Sequence, residues 1–255
     1  MQEPKSILIT GASSGIGEAL ARHYAAPGIH LALSGRSETR LDGVAAACRG
    51  LGATVETKCL DVTDEETMRA WIEDVDDRHP LDLVIANAGI AVSPDPLTPL
   101  ADATRRTFAV NVTGVFNTVH PALERMKARC RGQIAIMSSI AGYRGLPAAA
   151  PYSASKVAVK AYGEALRGAY WGRVRISVIC PGFVESRMTA KNRFPMPFLM
   201  TADKAAHIIA RGLARNRGVI AFPWPMAALM RLIACLPQPL SDRVLRLSPK
   251  KDSHA

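Results

Sequence analysis

Ser6-Ile7-Leu8-Ile9-Thr10-Gly11-Ala12-Ser13-Ser14-Gly15-Ile16-Gly17 is the stretch that decides the fold. A short apolar run ends in a glycine-rich turn, and a helical pattern over Gly15–Ala26 begins inside that turn. Glycines let the backbone bend sharply and come close to a ligand, while a helix N-terminus presents free N–H groups and a positive dipole end. Strand, turn and helix in this order suit a pyrophosphate held by Gly11, Ser13, Ser14, Gly15, Ile16 and Gly17. The spacing is Gly-x-x-x-Gly-x-Gly and not the Gly-x-Gly-x-x-Gly of the standard dinucleotide fingerprint. Glycine turns between a strand and a helix are common, so the context carries the reading.

Outward from this turn the same alternation continues. Ser6–Thr10, His30–Ser34, Thr54–Leu60, Leu81–Ala86, Gln133–Met137, Arg175–Ile179 and Val219–Phe222 read as strands. Between them Glu38–Arg49, Asp64–Val75, Ala103–Arg129, Tyr152–Trp171 and Ala202–Arg215 carry the helical period. Thr63 and Glu66 have capping-box spacing, with Thr63 as N-cap. Strands apolar on both faces, alternating with helices, predict a three-layer, doubly wound α/β fold on a parallel sheet. One domain over residues 1–255 is expected, without repeats or long linkers. Composition shifts only late, in the Pro-, Met- and Phe-rich Phe183–Met200 and the apolar Phe222–Leu240. The uninterrupted run Met226–Leu236 is too short to span a bilayer, which needs about 20 apolar residues.

The 255 residues are 48% hydrophobic and 21% charged, as in a globular protein with a substantial core. Cys48, Cys59, Cys130, Cys180 and Cys235 are scattered, and no His or Cys cluster has metal-ligand spacing, so neither a disulfide scaffold nor a metal site is expected. Met1-Gln2-Glu3-Pro4-Lys5 lacks the apolar stretch of a secretory signal, and a cytoplasmic location follows. The net charge of +10 lies in the last quarter: from Arg187 onward 12 Lys/Arg stand against 3 Asp/Glu. No nucleic-acid module or interleaved aromatics accompany that excess, so nucleic acid is not an expected partner.

The end of the second strand should face the adenosine ribose of a bound dinucleotide. An acidic residue there would repel a 2′-phosphate, but this chain has Ser34-Gly35-Arg36. Arg36 can pair with a phosphate and stack on adenine, which favours NADP over NAD. After the third strand, Asp61 and the Val62 backbone either contact adenine or, in the case of Asp61, cap the next helix.

Tyr152-Ser153-Ala154-Ser155-Lys156 opens a long helical pattern, with Tyr152 and Lys156 on one face at i and i+4. A free phenol is a poor base at neutral pH, but a nearby ammonium favours the phenolate, so Tyr152 is a candidate acid–base group. Such pairs arise by chance in many helices. Two further residues strengthen this one. Ser139, at the end of the fifth strand, can hold a carbonyl or alkoxide oxygen. Asn111, inside a helical stretch to which Asn adds nothing, either makes specific bonds, through a water leading to Lys156, or is a satisfied packing residue.

Together these motifs resemble the short-chain dehydrogenase/reductase family. Thr10-Gly11-x-x-x-Gly15-Ile16-Gly17, Asn87-Ala88-Gly89, Asn111, Ser139, Tyr152-x-x-x-Lys156 and Pro181-Gly182 stand in the family's order and spacing, over roughly residues 5 to 190. The resemblance implies a Rossmann fold with a seven-stranded parallel sheet, and hydride transfer between NADP(H), or NAD(H), and a small-molecule carbonyl or alcohol. It implies a catalytic tetrad in which Tyr152 is the acid/base and Lys156 binds the nicotinamide ribose while lowering the Tyr152 pKa. Ser139 would polarise the carbonyl and Asn111 support a proton relay. Asn87, Ala88 and Gly89 would line the cofactor cleft, with Pro181, Gly182 and Val184 near the nicotinamide. Two positions depart from the pattern: Ala86 replaces a common first asparagine, and Ser186 stands for the threonine after Pro-Gly.

The family resemblance also implies a substrate lid, at about residues 183–200. Its Met188, Phe194, Met196, Phe198, Leu199 and Met200 suit a hydrophobic substrate, or bury against the domain or a second subunit. The extension at about 223–255 combines Trp224, Met226, Leu229, Met230, Leu232 and Ile233 with Arg231, Arg243, Arg246, Lys250 and Lys251. It packs within the chain or in a homodimer or homotetramer, covers the pocket, or lies on the inner face of an anionic membrane. The alternatives to an enzyme are a cofactor-sensing regulator and a membrane-associated protein on the same fold. Retention of both Tyr152 and Lys156 argues against the regulator.

Overall fold

The computed structural model describes residues 4–92, 97–191 and 194–246. Its strands are β1 (Ser6–Ile9), β2 (His30–Gly35), β3 (Thr54–Cys59), β4 (Leu83–Ala86), β5 (Gln133–Met137), β6 (Arg175–Pro181) and β7 (Val219–Phe222). They form one parallel sheet in the order β3-β2-β1-β4-β5-β6-β7. The helices are α1 (Gly15–Tyr24), α2 (Glu38–Gly50), α3 (Glu65–Arg78), α4 (Leu100–Phe108), α5 (Gly114–Ala128), α6 (Ala150–Ala169), α7 (Ala202–Ala214), α8 (Trp224–Cys235) and α9 (Gln238–Arg246). The expected three-layer, doubly wound Rossmann architecture is present.

Alternation along each strand sorts the core into two halves. Ile7 and Ile9 of β1 face one side with Leu20 of α1, Leu41 of α2 and Ile209 of α7. Leu8 faces the other, with Met68 and Ile72 of α3, Val119 of α5 and Val159 of α6. All residues of β1, β2 and β4 are buried, as a sheet covered on both faces requires. β3 departs from that pattern: as an edge strand it exposes Thr54, Lys58 and Cys59.

Local structure corrects two expectations. Asp64, not Thr63, caps α3: its carboxylate accepts the Thr67 N–H at 3.1 Å. Thr63 instead gives its N–H (3.0 Å) and hydroxyl (2.9 Å) to Asp61, so Asp61 shapes the turn into α3 without capping it. The continuous helix expected over Ala103–Arg129 is broken by a π-helical turn at Ala109–Thr113, between α4 and α5. The extra residue of such a turn rotates the side chains after it, and Asn111 at its centre is fully buried.

The inner side of the C-terminal extension packs within the chain. Ala227, Met230 and Ile233 of α8 and Leu245 of α9 bury against Ile140, with Tyr143 and Leu146 beside them. Arg144 donates to the Gln238 side chain and, at 2.6 Å, to the Ser241 hydroxyl. Arg231 donates to the Tyr143 phenol at 3.2 Å. Lys250 and Lys251 lie outside the described residues. No helix among the described residues is long and apolar enough to cross a membrane.

Candidate active site

The strand order reverses between β1 and β4, which opens a crevice beyond the carboxyl ends of these strands. Asn87, just past β4, donates its Nδ2 hydrogens to the carbonyls of Thr10 (2.9 Å) and Gly11 (3.2 Å). In return Thr10 Oγ1 accepts the N–H groups of Asn87 (3.1 Å) and Ala88 (3.2 Å). The two turns are so close that a Cβ on Gly11, whose φ is +66°, would lie 2.8 Å from Ala88 Cα. A Cβ on Gly17 would lie 2.4 Å from the Gly11 carbonyl oxygen.

Ser14 occupies the N-cap of α1 in extended conformation without a side-chain cap bond among the described residues. The first-turn N–H groups therefore keep their donors for a ligand. The turn consists of small neutral residues, and this donor set fits the diphosphate of a dinucleotide. Gly35 brings β2 against Ser13, where a Cβ would be 3.0 Å from the serine oxygen. Arg36 follows at the strand end, 63% exposed, with its guanidinium 3.9 Å from Asp61. The Val62 carbonyl accepts from Asn117 Nδ2 at 3.0 Å.

A polar cluster gathers along the same edge, at the ends of β4 and β5. Ser139 follows β5, and its hydroxyl lies beside the Tyr152 phenol. Ser139 Oγ also accepts the Ala141 N–H at 3.1 Å and lies 3.4 Å from the Pro181 carbonyl. Lys156 Nζ is 5.7 Å from the Tyr152 ring centre and donates to the Met137 carbonyl at 2.9 Å. Ser138 Oγ donates to the Lys156 carbonyl at 2.8 Å, which ties α6 to β5.

Asn111 accepts the Ile90 N–H at 2.8 Å and donates to the Ile90 carbonyl (2.9 Å) and to Ser155 Oγ (3.0 Å). Ser155 in turn donates to the Tyr152 carbonyl at 2.7 Å. Gly89 lies between the Asn111 and Lys156 side chains: a Cβ there would be 3.3 Å from Asn111 Oδ1 and 3.4 Å from Lys156 Nζ. Asn111, Ser139, Tyr152 and Lys156 thus converge, beside Asn87, Ala88 and Gly89.

Pro181 ends β6, and the Gly182 N–H donates to the Phe222 carbonyl at 2.7 Å. Val184 is buried and bridges Met200, closing the 183–200 segment at its base. Ser186 approaches the glycine turn, its Cβ 3.1 Å from the position of a Cβ on Gly15. Thr10, Ser138 and Ser155 join the site beyond the residues expected from the sequence. Thr10 stands in the quoted motif, but its partners follow β4, far away in sequence. Ser155 gains its role from the π-helical turn, which has no signature in the helical period.

Electrostatics at the site differ from the expectation for Tyr152. Burial pushes its phenol pKa up, opposed by the Ser139 hydroxyl beside it. Lys156 is itself desolvated and bonded to the Met137 carbonyl. Burial lowers Lys156 from 10.5 to about 8, so the ammonium still dominates at neutral pH.

Fold and edge cluster together define a nucleotide-binding oxidoreductase. The family model for short chain dehydrogenases matches residues 5–196. The chain is 38% identical over 244 residues to an uncharacterized oxidoreductase of Myxococcus xanthus (strain DK1622), covering 95% of this chain and 96% of that one. It is 38% identical over 193 residues to the 11-beta-hydroxysteroid dehydrogenase A of Arachis hypogaea, covering 74% of this chain and 55% of that one. A solved short chain dehydrogenase/reductase from Burkholderia phymatum, in complex with NAD, matches with a TM-score of 0.82 and 25% identity over 97% of both chains. The chain belongs to the short chain dehydrogenase family, whose members are NAD(P)-dependent oxidoreductases.

The depressed Lys156 value has a consequence for stability. Between about pH 8 and 10.5 the unfolded chain binds more protons at this lysine than the folded chain does. The charging penalty is therefore complete below pH 8 and disappears as pH rises to 10.5. In urea titrations of cofactor-free protein, wild type should gain on the order of 3 kcal/mol relative to Lys156→Met between pH 7 and 10.5. A difference between the two proteins that does not change with pH would refute the buried, depressed lysine.

Proposed function

We propose that the protein transfers hydride between NADP(H) and a hydrophobic carbonyl or secondary alcohol, with Tyr152 as the acid/base. The observation that carries the reading is the juxtaposition of Ser139 and Tyr152, with Lys156 one turn along α6 and the glycine turn on the same sheet edge. The two hydroxyls could then both reach one carbonyl oxygen of a bound substrate. When bound, the cofactor supplies or accepts the hydride at its nicotinamide C4.

In the reducing direction Tyr152 donates its phenolic proton to the substrate oxygen as the carbonyl carbon becomes a carbinol. The phenol is protonated at neutral pH, so the proton is in place when the oxygen becomes basic. Ser139 donates a hydrogen bond to the same oxygen and stabilises its developing charge. Lys156 has three ammonium hydrogens, one of which goes to Met137. The others are available to the nicotinamide ribose and to stabilise the tyrosinate after proton transfer. Asn111 holds the loop at Ile90 and, through Ser155, the first turn of α6 in register. In the oxidising direction the same groups act in reverse.

Arg36 and the absence of an acidic residue at the end of β2 support NADP over NAD. The partly exposed apolar residues of the 183–200 segment support a hydrophobic substrate, with Met188, Phe198 and Leu199 exposed. The likeness to a hydroxysteroid dehydrogenase over 74% of the chain supports the same class.

Tyr152→Phe should lower turnover by roughly 10²–10⁴-fold while NADPH binding, read by fluorescence titration, stays unchanged. Near-wild-type turnover would remove Tyr152 from the mechanism. Arg36→Ala should weaken NADPH binding by roughly tenfold or more, a loss of ~1.5–3 kcal/mol for hydrogen bonds to a charged group. NADH affinity should barely move, and equal losses for the two cofactors would overturn the preference.

A further inference from the structure

Helix α8 is apolar on both its faces, although only one is covered. Ala227, Met230 and Ile233 are buried against the chain. On the opposite face Trp224 is 78%, Leu229 55% and Leu232 62% exposed. Trp224, Ala228 and Leu232 follow one another at four-residue intervals and form a single stripe. Arg231 is the one charged residue of the helix. α9 continues the theme with exposed Leu240 and Val244, four residues apart, next to Arg243. A helix apolar all round is normally buried, so this face lacks a partner of its own kind.

We propose that the outer face of α8 docks the protein reversibly on an anionic lipid surface. The charge around it argues for lipid over a second copy of the chain. Arg231 on α8, Arg243 on α9 and Arg144, which donates to Ser241 of α9, lie on or against the two helices, in a chain of net charge +10. Asp242, the acidic residue of the two helices, is already engaged by Gln238 at 2.8 Å. A twofold contact would set this basic region against itself, whereas anionic headgroups neutralise it. An apolar stripe with a basic rim is the pattern of an interfacial helix, and a tryptophan at the helix start suits headgroup depth. α8 is far too short to span, so the attachment is peripheral.

The inner face of α8 packs on Ile140, the residue after Ser139. A Cβ on Gly182 would lie 2.8 Å from Pro223 and 3.3 Å from the Met226 sulfur, so the start of α8 borders the site as well. Docking therefore brings the lipid phase close to the place where a hydrophobic carbonyl would enter. That last consequence rests on the catalytic reading; the docking itself does not.

The test is co-sedimentation of the full chain with vesicles of phosphatidylcholine alone and of phosphatidylcholine with phosphatidylglycerol. Wild type should bind the anionic vesicles much more than the neutral ones, and less as salt rises. Leu229→Ser/Leu232→Ser should lower that partitioning at least about tenfold, with an unchanged thermal melt because both side chains are exposed. Trp224→Ser is a second variant of the same face and should also bind less. Tyr152→Phe should bind vesicles like wild type whatever its turnover, which reads docking separately from catalysis. Absence of wild-type binding to anionic vesicles, or full binding by the outer-face variants, overturns the proposal. A change of oligomer mass in those variants, without vesicle binding by wild type, would assign the face to self-association and overturn it equally.

Discussion

The close approach of the β1 turn to the end of β4 is the constraint on which the rest depends. Thr10 and Asn87 exchange hydrogen bonds across it, and Gly11 and Gly17 remove the side chains that would hold the two segments apart. The seam lies where the strand order reverses, so it fixes both the pyrophosphate turn and the loop that carries Gly89. From Gly89 the geometry passes to Asn111, then through Ser155 to the first turn of α6. Tyr152 and Lys156 are thus held from the same edge that is shaped to take a cofactor, and from β5 through Ser138 and Ser139.

Much of this was legible in the sequence because its carriers are local. The strand runs and the glycine turn need only neighbours a few residues away, and all seven strands form within a residue or two of their expected limits. The exceptions have physical causes. β3 is half-exposed because an edge strand needs only one covered face. The helix over Ala103–Arg129 breaks because buried polar bonds from Asn111 to Ile90 and Ser155 outweigh the regular period. The α3 cap moved to Asp64 because Asp61 takes both donors of Thr63.

At the site, residue types were readable but environments were not. The Tyr152/Lys156 spacing suggested an ammonium acting on a phenol. Burial dominates both groups instead, raising the phenol and lowering the lysine, since low dielectric disfavours each charged form. The C-terminal quarter was least legible: its composition gave apolar and basic residues without saying which face each would take. The fold sorts them, with Ala227, Met230 and Ile233 inside and Trp224, Leu229 and Leu232 outside.

The central claim is that hydrogen moves from the nicotinamide directly to carbon, while the proton on oxygen comes from Tyr152 and ultimately from solvent. The most direct measurement is mass spectrometry of the alcohol formed from a hydrophobic ketone and NADPH carrying two deuteriums at C4, in ordinary water. The account predicts one deuterium, on the carbinol carbon, in every product turned over. An alcohol whose carbon-bound hydrogen came from the solvent would contradict it.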